Sequence, residues 1–210
     1  AYAGSNTNPA PELADYSTAG ITGVTTENLA DVNAAIDAAE AAGADTVSEI
    51  QAIVGQVIAD LAAAAAVVAA VDKIEAYAGS NTNPAPELAD YSTAGITGVT
   101  AENLADVNAA IDAAEATGAD TASEIQAIVD QVIADLAAAA AVVAAVDKIE
   151  AYAGSNTNPA PELADYSTAG ITGVTAENLS DVNAAIDAAE AAGADSASEI
   201  QAIVDQVIAD

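Results

Sequence analysis

From Ile125 the chain carries no Gly or Pro until Gly154, while apolar residues keep returning at steps of three and four. A run of that kind predicts a helix of about 30 residues, ~45 Å long at 1.5 Å per residue. The equivalent earlier segment places Ile50, Val54, Val57, Leu61, Ala64, Val68 and Val71 at 4-3-4-3-4-3 spacing, the seam of a heptad pattern. Gly55 falls inside that helix, where the later copies have Asp130 and Asp205. It costs about 1 kcal/mol relative to Ala and is not expected to break the helix. The start is signalled by Thr121-Ala-Ser-Glu124, a capping box in which each end residue's side chain satisfies the other's backbone N–H. Thr46 with Glu49, and Ser196 with Glu199, repeat the box.

Two shorter helices precede the long one. Pro84 and Pro86 end the previous helix and open a new one. This short helix is expected to run to Ala94, with Leu88 and Tyr91 on one face. Gly95 then supplies the left-handed position after the helix, and Ile96 contacts Tyr91. After the tight connector Ile96-Thr97-Gly98-Val99, Thr100 is the N-cap of a second helix, with Val99 and Leu104 as its hydrophobic staple. Leu104, Val107, Ile111 and Ala114 share one face, and Gly118 ends the helix.

The stretch Leu61 to Val71 is apolar on every side. A helix apolar all round is expected to be buried. As the longest apolar run it falls short of the ~18 residues that a membrane span needs. Burial is therefore expected where one repeat meets the next. The first half of the long helix would pack with the two helices before it, and the second half with the two after it. The alternative is a set of independent three-helix domains joined by helical linkers at 61–75 and 136–150.

The string AYAGSNTNPAPELADYSTAGITGVT begins at Ala1, Ala76 and Ala151, a period of 75 residues. The expected domains are repeats 1–75 and 76–150 and a truncated repeat 151–210. The first two copies differ only at Thr26/Ala101, Ala42/Thr117, Val47/Ala122 and Gly55/Asp130. An enzyme does not need near-identical copies of one site, whereas an array gains length or valency from each. The expected fold is all-α, in tandem repeats of short, medium and long helices. They form three-helix units, and the long helix is shared between neighbours in an elongated rod.

Composition narrows the function. Hydrophobic residues make up 53% of the chain, and much of that is Ala, which favours helices with thin, closely packed cores. There are 33 Asp and Glu against two Lys and no Arg, for a net charge of −31. That charge repels phosphate backbones and anionic lipid, so no nucleic-acid partner and no membrane insertion are expected. Without Cys there is no disulfide or thiolate chemistry, and without His the usual general base and commonest metal ligand are missing. The opening Ala1, with no initiator Met, predicts a segment of a longer protein.

Asp106, Asp112 and Glu115 fall on the polar side of the second helix, where a solvated acidic face is a stronger reading than acid–base catalysis. The Gly79-Ser-Asn-Thr-Asn83 loop, with Glu87 or Asp90, offers oxygen ligands that suit Ca²⁺, but no EF-hand spacing accompanies it. Lys73 and Lys148 sit in Asp-Lys-Ile-Glu segments that predict local ion pairs near a helix end. Tyr2 and Tyr16 and their repeats read as core or core-edge residues. Threonine sits at caps and connectors rather than in the flat array that ice binding uses. No catalytic, cofactor or metal residue is expected, and Ca²⁺ is the one cofactor candidate.

The strings Asp15-Tyr-Ser-Thr-Ala-Gly-Ile-Thr-Gly-Val-Thr25 and Glu27-Asn-Leu-Ala-Asp-Val-Asn33 are followed by Ala44-Asp-Thr-Val-Ser-Glu-Ile-Gln-Ala-Ile-Val54. Together they resemble tandem repeats in very large surface proteins of Gram-negative bacteria, the RTX or biofilm-associated adhesins. The resemblance implies an extracellular extender or stalk at the bacterial cell surface that spaces a distal binding region from the cell. Its partners would be neighbouring repeats of the same chain, with self-association left open. A multivalent binding module for a polysaccharide or for sister molecules is the alternative. A designed scaffold fits less well, because loops such as Gly-Ser-Asn-Thr-Asn-Pro are irregular.

Overall fold

The computed structural model describes residues 2–5, 8–80, 82–114, 118–155, 157–189 and 193–209. Among them every regular element is helical. The chain divides into two compact units, Ala1–Ala127 and Ile128–Asp210.

The first unit holds α1 (Leu13–Thr18), α2 (Leu29–Ala38), α3 (Glu40–Gly43), α4 (Val47–Tyr77), α5 (Leu88–Thr93) and α6 (Leu104–Ala113). It also holds the start of α7 (Ala122–Tyr152). The second unit holds the rest of α7 with α8 (Leu163–Thr168), α9 (Leu179–Ala189) and α10 (Ala197–Ala209).

The capping boxes stand where the sequence put them. Thr46 Oγ1 accepts from Glu49 N while Thr46 N donates to Glu49 Oε2. Thr121 with Glu124 repeats the exchange. From Thr46, α4 runs unbroken through Gly55 for 31 residues.

The short helices begin differently from the expectation. The preceding long helix stops at Tyr77, well before Pro84, and Gly79 takes φ +66 in the turn. The prolines therefore do not terminate it. Pro86 lies outside α5, whose N-cap is Glu87, with Glu87 N donating to Asp90 Oδ2 at 2.7 Å. The C-terminus follows the expectation. Ile96 N donates to Tyr91 O at 2.8 Å and Gly95 N to Ser92 O at 3.2 Å, with Gly95 at φ +78. Tyr91 is fully buried, but Leu88 is 38% exposed, so the two do not share the core face.

The medium helix begins one turn later than expected, with Asn103 at its N-cap position, but Thr100 still caps the turn before it. Thr100 Oγ1 accepts from Asn103 N at 3.4 Å, and Thr100 O accepts from Leu104 N at 3.0 Å. Asn103 Oδ1 accepts from Thr100 N at 2.8 Å and its Nδ2 donates to Gly98 O at 2.9 Å, so one nearly buried amide closes the connector. Helix α6 then ends at Ala113, short of Gly118. A second amide ties the connector to the long helix. Gln126 Oε1 accepts from Thr97 N at 2.8 Å, and Gln126 Nε2 donates to Thr97 O at 3.1 Å. At the equivalent turn, Gly23 has φ +90, and a Cβ there would meet Ile58 Cδ1 at 2.7 Å. The conformation requires glycine, while the Ile58 methyl, at the end of a flexible side chain, can move aside for a Cβ.

The core of the first repeat joins Tyr16, Ile21, Val32, Ile36 and Val54. Helix α4 thus packs on α2, and it also packs on α5 and α6. Its buried residues are Val54 near one end and Ala70 and Ile74 near the other. At about 100° per residue, the step from Val54 to Ile74 turns the helix roughly 200° beyond whole turns. The two buried faces lie on opposite sides of α4. In the second unit the end of α7 does the same work, with Ala145 and Ile149 in one core with Tyr166, Val182, Ile186 and Val204.

The apolar middle of α4 contradicts the expectation of burial. Every residue from Leu61 to Ala69 is exposed, Val68 by 60%. The reason is reach. Helices of six and ten residues span about 9 and 15 Å, too little to flank a ~47 Å helix along its length. The heptad seam fails for a related reason, since it assumes one buried face where α4 has two.

The buried Tyr91 hydroxyl donates to Asn108 Oδ1 at 2.6 Å, and Asn108 Nδ2 donates to Pro86 O at 3.0 Å. Tyr91→Phe should leave that amide oxygen short of a partner and cost about 1–3 kcal/mol. Urea unfolding of the variant beside the unchanged chain measures it. A loss below about 0.5 kcal/mol would mean that the hydroxyl does not hold the short helix in place.

Candidate functional site

The most constructed place in each repeat is where the end of a long helix meets the short helix after it. Lys73 Nζ, on α4, sits 2.5 Å from Asp90 Oδ2, on α5. Asp90 Oδ2 also accepts from Glu87 N, so one carboxylate both caps α5 and clamps it to α4. Gly79 N donates to Asp112 O at 2.9 Å, which ties the loop after α4 to the end of α6. Asn83 Nδ2 donates back to Ala76 O. In the second unit Lys148 pairs with Asp165 at 2.5 Å, and Gly154 N donates to Asp187 O at 3.0 Å. Both lysines therefore make tertiary bridges 17 residues long, not the local ion pairs expected from Asp-Lys-Ile-Glu. Sequence spacing could not show this, because the partner lies beyond a turn and a loop.

Electrostatics follow the geometry. Partial burial raises the pKa of Asp90, but the Lys73 ammonium and the Glu87 N–H outweigh it and leave the group below its ordinary value. Asp165 behaves alike with Lys148 and Glu162. Burial pushes the Tyr91 and Tyr166 phenols well above their ordinary value, helped by Tyr77 and Tyr152 and the adjacent aspartates. These phenols are core groups, as the sequence predicts, and do not titrate in the neutral range.

Chemistry elsewhere is sparse. Asp106 is exposed, Asp112 is half-buried with an unpartnered Oδ1, and Glu115 lies outside the described residues. At the start of the long helices Asp120 is hydrogen-bonded to Glu124. The bond and the neighbouring charge raise Asp120, while the bonds from Asp120 and Thr121 lower Glu124. The pair is exposed, and the hydroxyl beside it, Thr121 Oγ1, is taken up in the capping box. Of the candidate Ca²⁺ ligands, Asp90 is taken by Lys73 and Asn81 lies outside the described residues. No group of three or more carboxylates forms a metal cage among the described residues.

One further feature was missed. Taken as a window rather than an unbroken run, α4 and α7 are each long and apolar enough to cross a membrane. The unbroken stretch between Asp60 and Asp72 is 11 residues. It spans about 17 Å, against ~30 Å for a bilayer core.

Lys73→Gln should remove a half-exposed ion pair, a loss of about 0.2–1 kcal/mol at pH 7. Because Asp90 is lowered in the fold, the bridge's contribution is complete above the ordinary aspartate value of 3.8. It disappears as pH falls through the lower folded value. Unfolding curves at pH 7 and at a pH well below the ordinary aspartate value should therefore differ between variant and unchanged chain mainly at the higher pH. An equal difference at both would assign the effect to packing of the lysine stem.

The chain matches no protein-family model, no curated protein and no solved structure, so its function is read from this arrangement.

Proposed function

We propose that the chain is a set of structural extender repeats, the stalk of a secreted bacterial surface adhesin. The observation that carries this reading is the double use of α4, which packs on α2 with one face and on α5 and α6 with the other. A helix shared in this way couples one repeat to the next and fixes their spacing. The domains would be the 75-residue repeats, and the partners of each repeat its neighbours in the chain. The constructed sites described above hold helices together, which supports a structural rather than a catalytic part. The acidic surface suits salty water, where screening lowers self-repulsion. The resemblance of the repeat strings to adhesin extenders supports the placement at the cell surface. Scattering from chains of one, two and three repeats tests the reading. The maximum dimension should rise linearly, by roughly 30–45 Å per repeat, the upper end being one long helix. A compact particle whose size does not follow repeat number would overturn it.

The exposed run Leu61–Ala69 favours a second reading, in which copies of the chain associate side by side. Sedimentation at rising concentration and high salt should then show dimers or larger species that Val68→Lys abolishes. A monomer throughout removes this reading and leaves the stalk.

A further inference from the structure

The repeats differ in one respect that their near-identical sequences do not announce. Ala94 and Ala169 are each 4% exposed, and Ala119, Ala194, Ile125 and Ile200 are fully buried. Their counterparts in the first repeat are not. Ala19 is exposed, and Ala44 and Ile50 are only half-buried. These three residues, with Tyr16 and Ile36, line a cavity of about 220 Å³, and Asp15 stands at its edge.

The later repeats show what covers this surface. In the second unit Ala145 and Ile149, from the end of α7, lie in one core with Tyr166, Ala169, Ile171 and Ile186. In the first unit the end of α4 packs on α5 and α6, with Ala70 and Ile74 buried. Each time a lysine one residue before the isoleucine reaches the aspartate of the short helix, Lys73 to Asp90 and Lys148 to Asp165. In the first repeat Asp15 Oδ2 accepts from Glu12 N as its counterparts do, but no cation pairs with it among the described residues.

We propose that the groove of the first repeat is an acceptor site for one helix, the end of a long helix of this same repeat type. Its occupant carries the sequence of residues 61–75, with alanine and isoleucine four residues apart on the buried face and lysine beside them. The alanine sits against Tyr16 and Ala19, as Ala145 shares a core with Tyr166 and Ala169. The isoleucine fills the cavity above Ile36, and the lysine closes on Asp15. Charge complementarity adds to shape. The complementarity is local: the occupant is net negative, like the chain, but its lysine reaches the carboxylate placed to take it. This inference does not rest on the stalk reading, because the groove would take the helix whatever the repeats are for.

The test uses the full chain and a fluorescent peptide of residues 58–75, blocked at both ends, followed by anisotropy and calorimetry. Binding should saturate at one peptide per chain, since the equivalent grooves of the later repeats are already filled. It should also raise the melting temperature, with the logarithm of peptide concentration once that exceeds Kd. Ile74→Asp in the peptide should weaken binding at least tenfold. So should Ala19→Arg in the chain, a change at an exposed residue that leaves the fold and the unliganded melting curve as they are. Saturable one-to-one binding lost in both variants supports the proposal. No saturation by about 1 mM peptide, more than one site, or binding indifferent to Ala19→Arg overturns it.

Discussion

Helices of six and ten residues are too short to persist alone in water, where even Ala-rich peptides need about 12–15 residues to be marginally helical. In this protein α5 and α6 are such helices, and everything else follows from how they are held. Their burial comes from the long helices. Tyr91, Val107 and Ile111 are fully buried, on helices that pack against the end of α4. Tyr91 at the same time hands its hydroxyl proton to Asn108, whose amide reaches Pro86. One aromatic side chain, through Asn108, thus joins α5, α6 and the loop that precedes α5. It is satisfied both as an apolar body and as a polar group, the condition under which a buried tyrosine stabilises.

That dependence explains where the sequence could be read and where it could not. Capping boxes at Thr46 and Thr121 and the glycine after Tyr91 are local devices, decided within four or five residues, and they appear as read. The all-helical class was equally plain, because Ala content and the absence of Gly and Pro act over whole segments. Thr100, read as the cap, does exchange bonds with Asn103, but the later start of the helix and the reach of the Asn103 amide back to Gly98 were not seen. The exchange with Thr100 is the forward Thr-x-x-Asn pair that the sequence shows, whereas the bond to Gly98 O is not part of any capping pattern. The partner of Lys73 was missed because 17 residues of chain separate it from Asp90. The junction was thus legible as chemistry, in a lone lysine among carboxylates, but not as geometry.

The exposed middle of α4 is the sharpest departure, and its cause is geometric. Hydrophobicity said that Leu61 to Val71 should be covered. Coverage requires neighbours of comparable length, and the repeat contains none except the long helices themselves. Alanine makes the exposure tolerable, since it presents little apolar surface and needs no neighbour to stay helical. The helix continues unbroken through this bare segment, and its buried face changes by about half a turn between Val54 and Ile74.

Charge then decides where repeats hold to one another. With 33 acids against two lysines, nearly every electrostatic contact on this surface is repulsive. Both lysines stand at the end of a long helix, and each closes on the aspartate that caps the next short helix. Worth little as a surface pair, such a bridge matters more for where it acts. It penalises any docking that brings two carboxylates together and favours the single register in which the cation finds its partner. Apolar burial by Ala70 and Ile74 supplies the attraction, and the lysine selects the register. A chain this acidic can therefore repeat one junction without its helices settling one turn out of place.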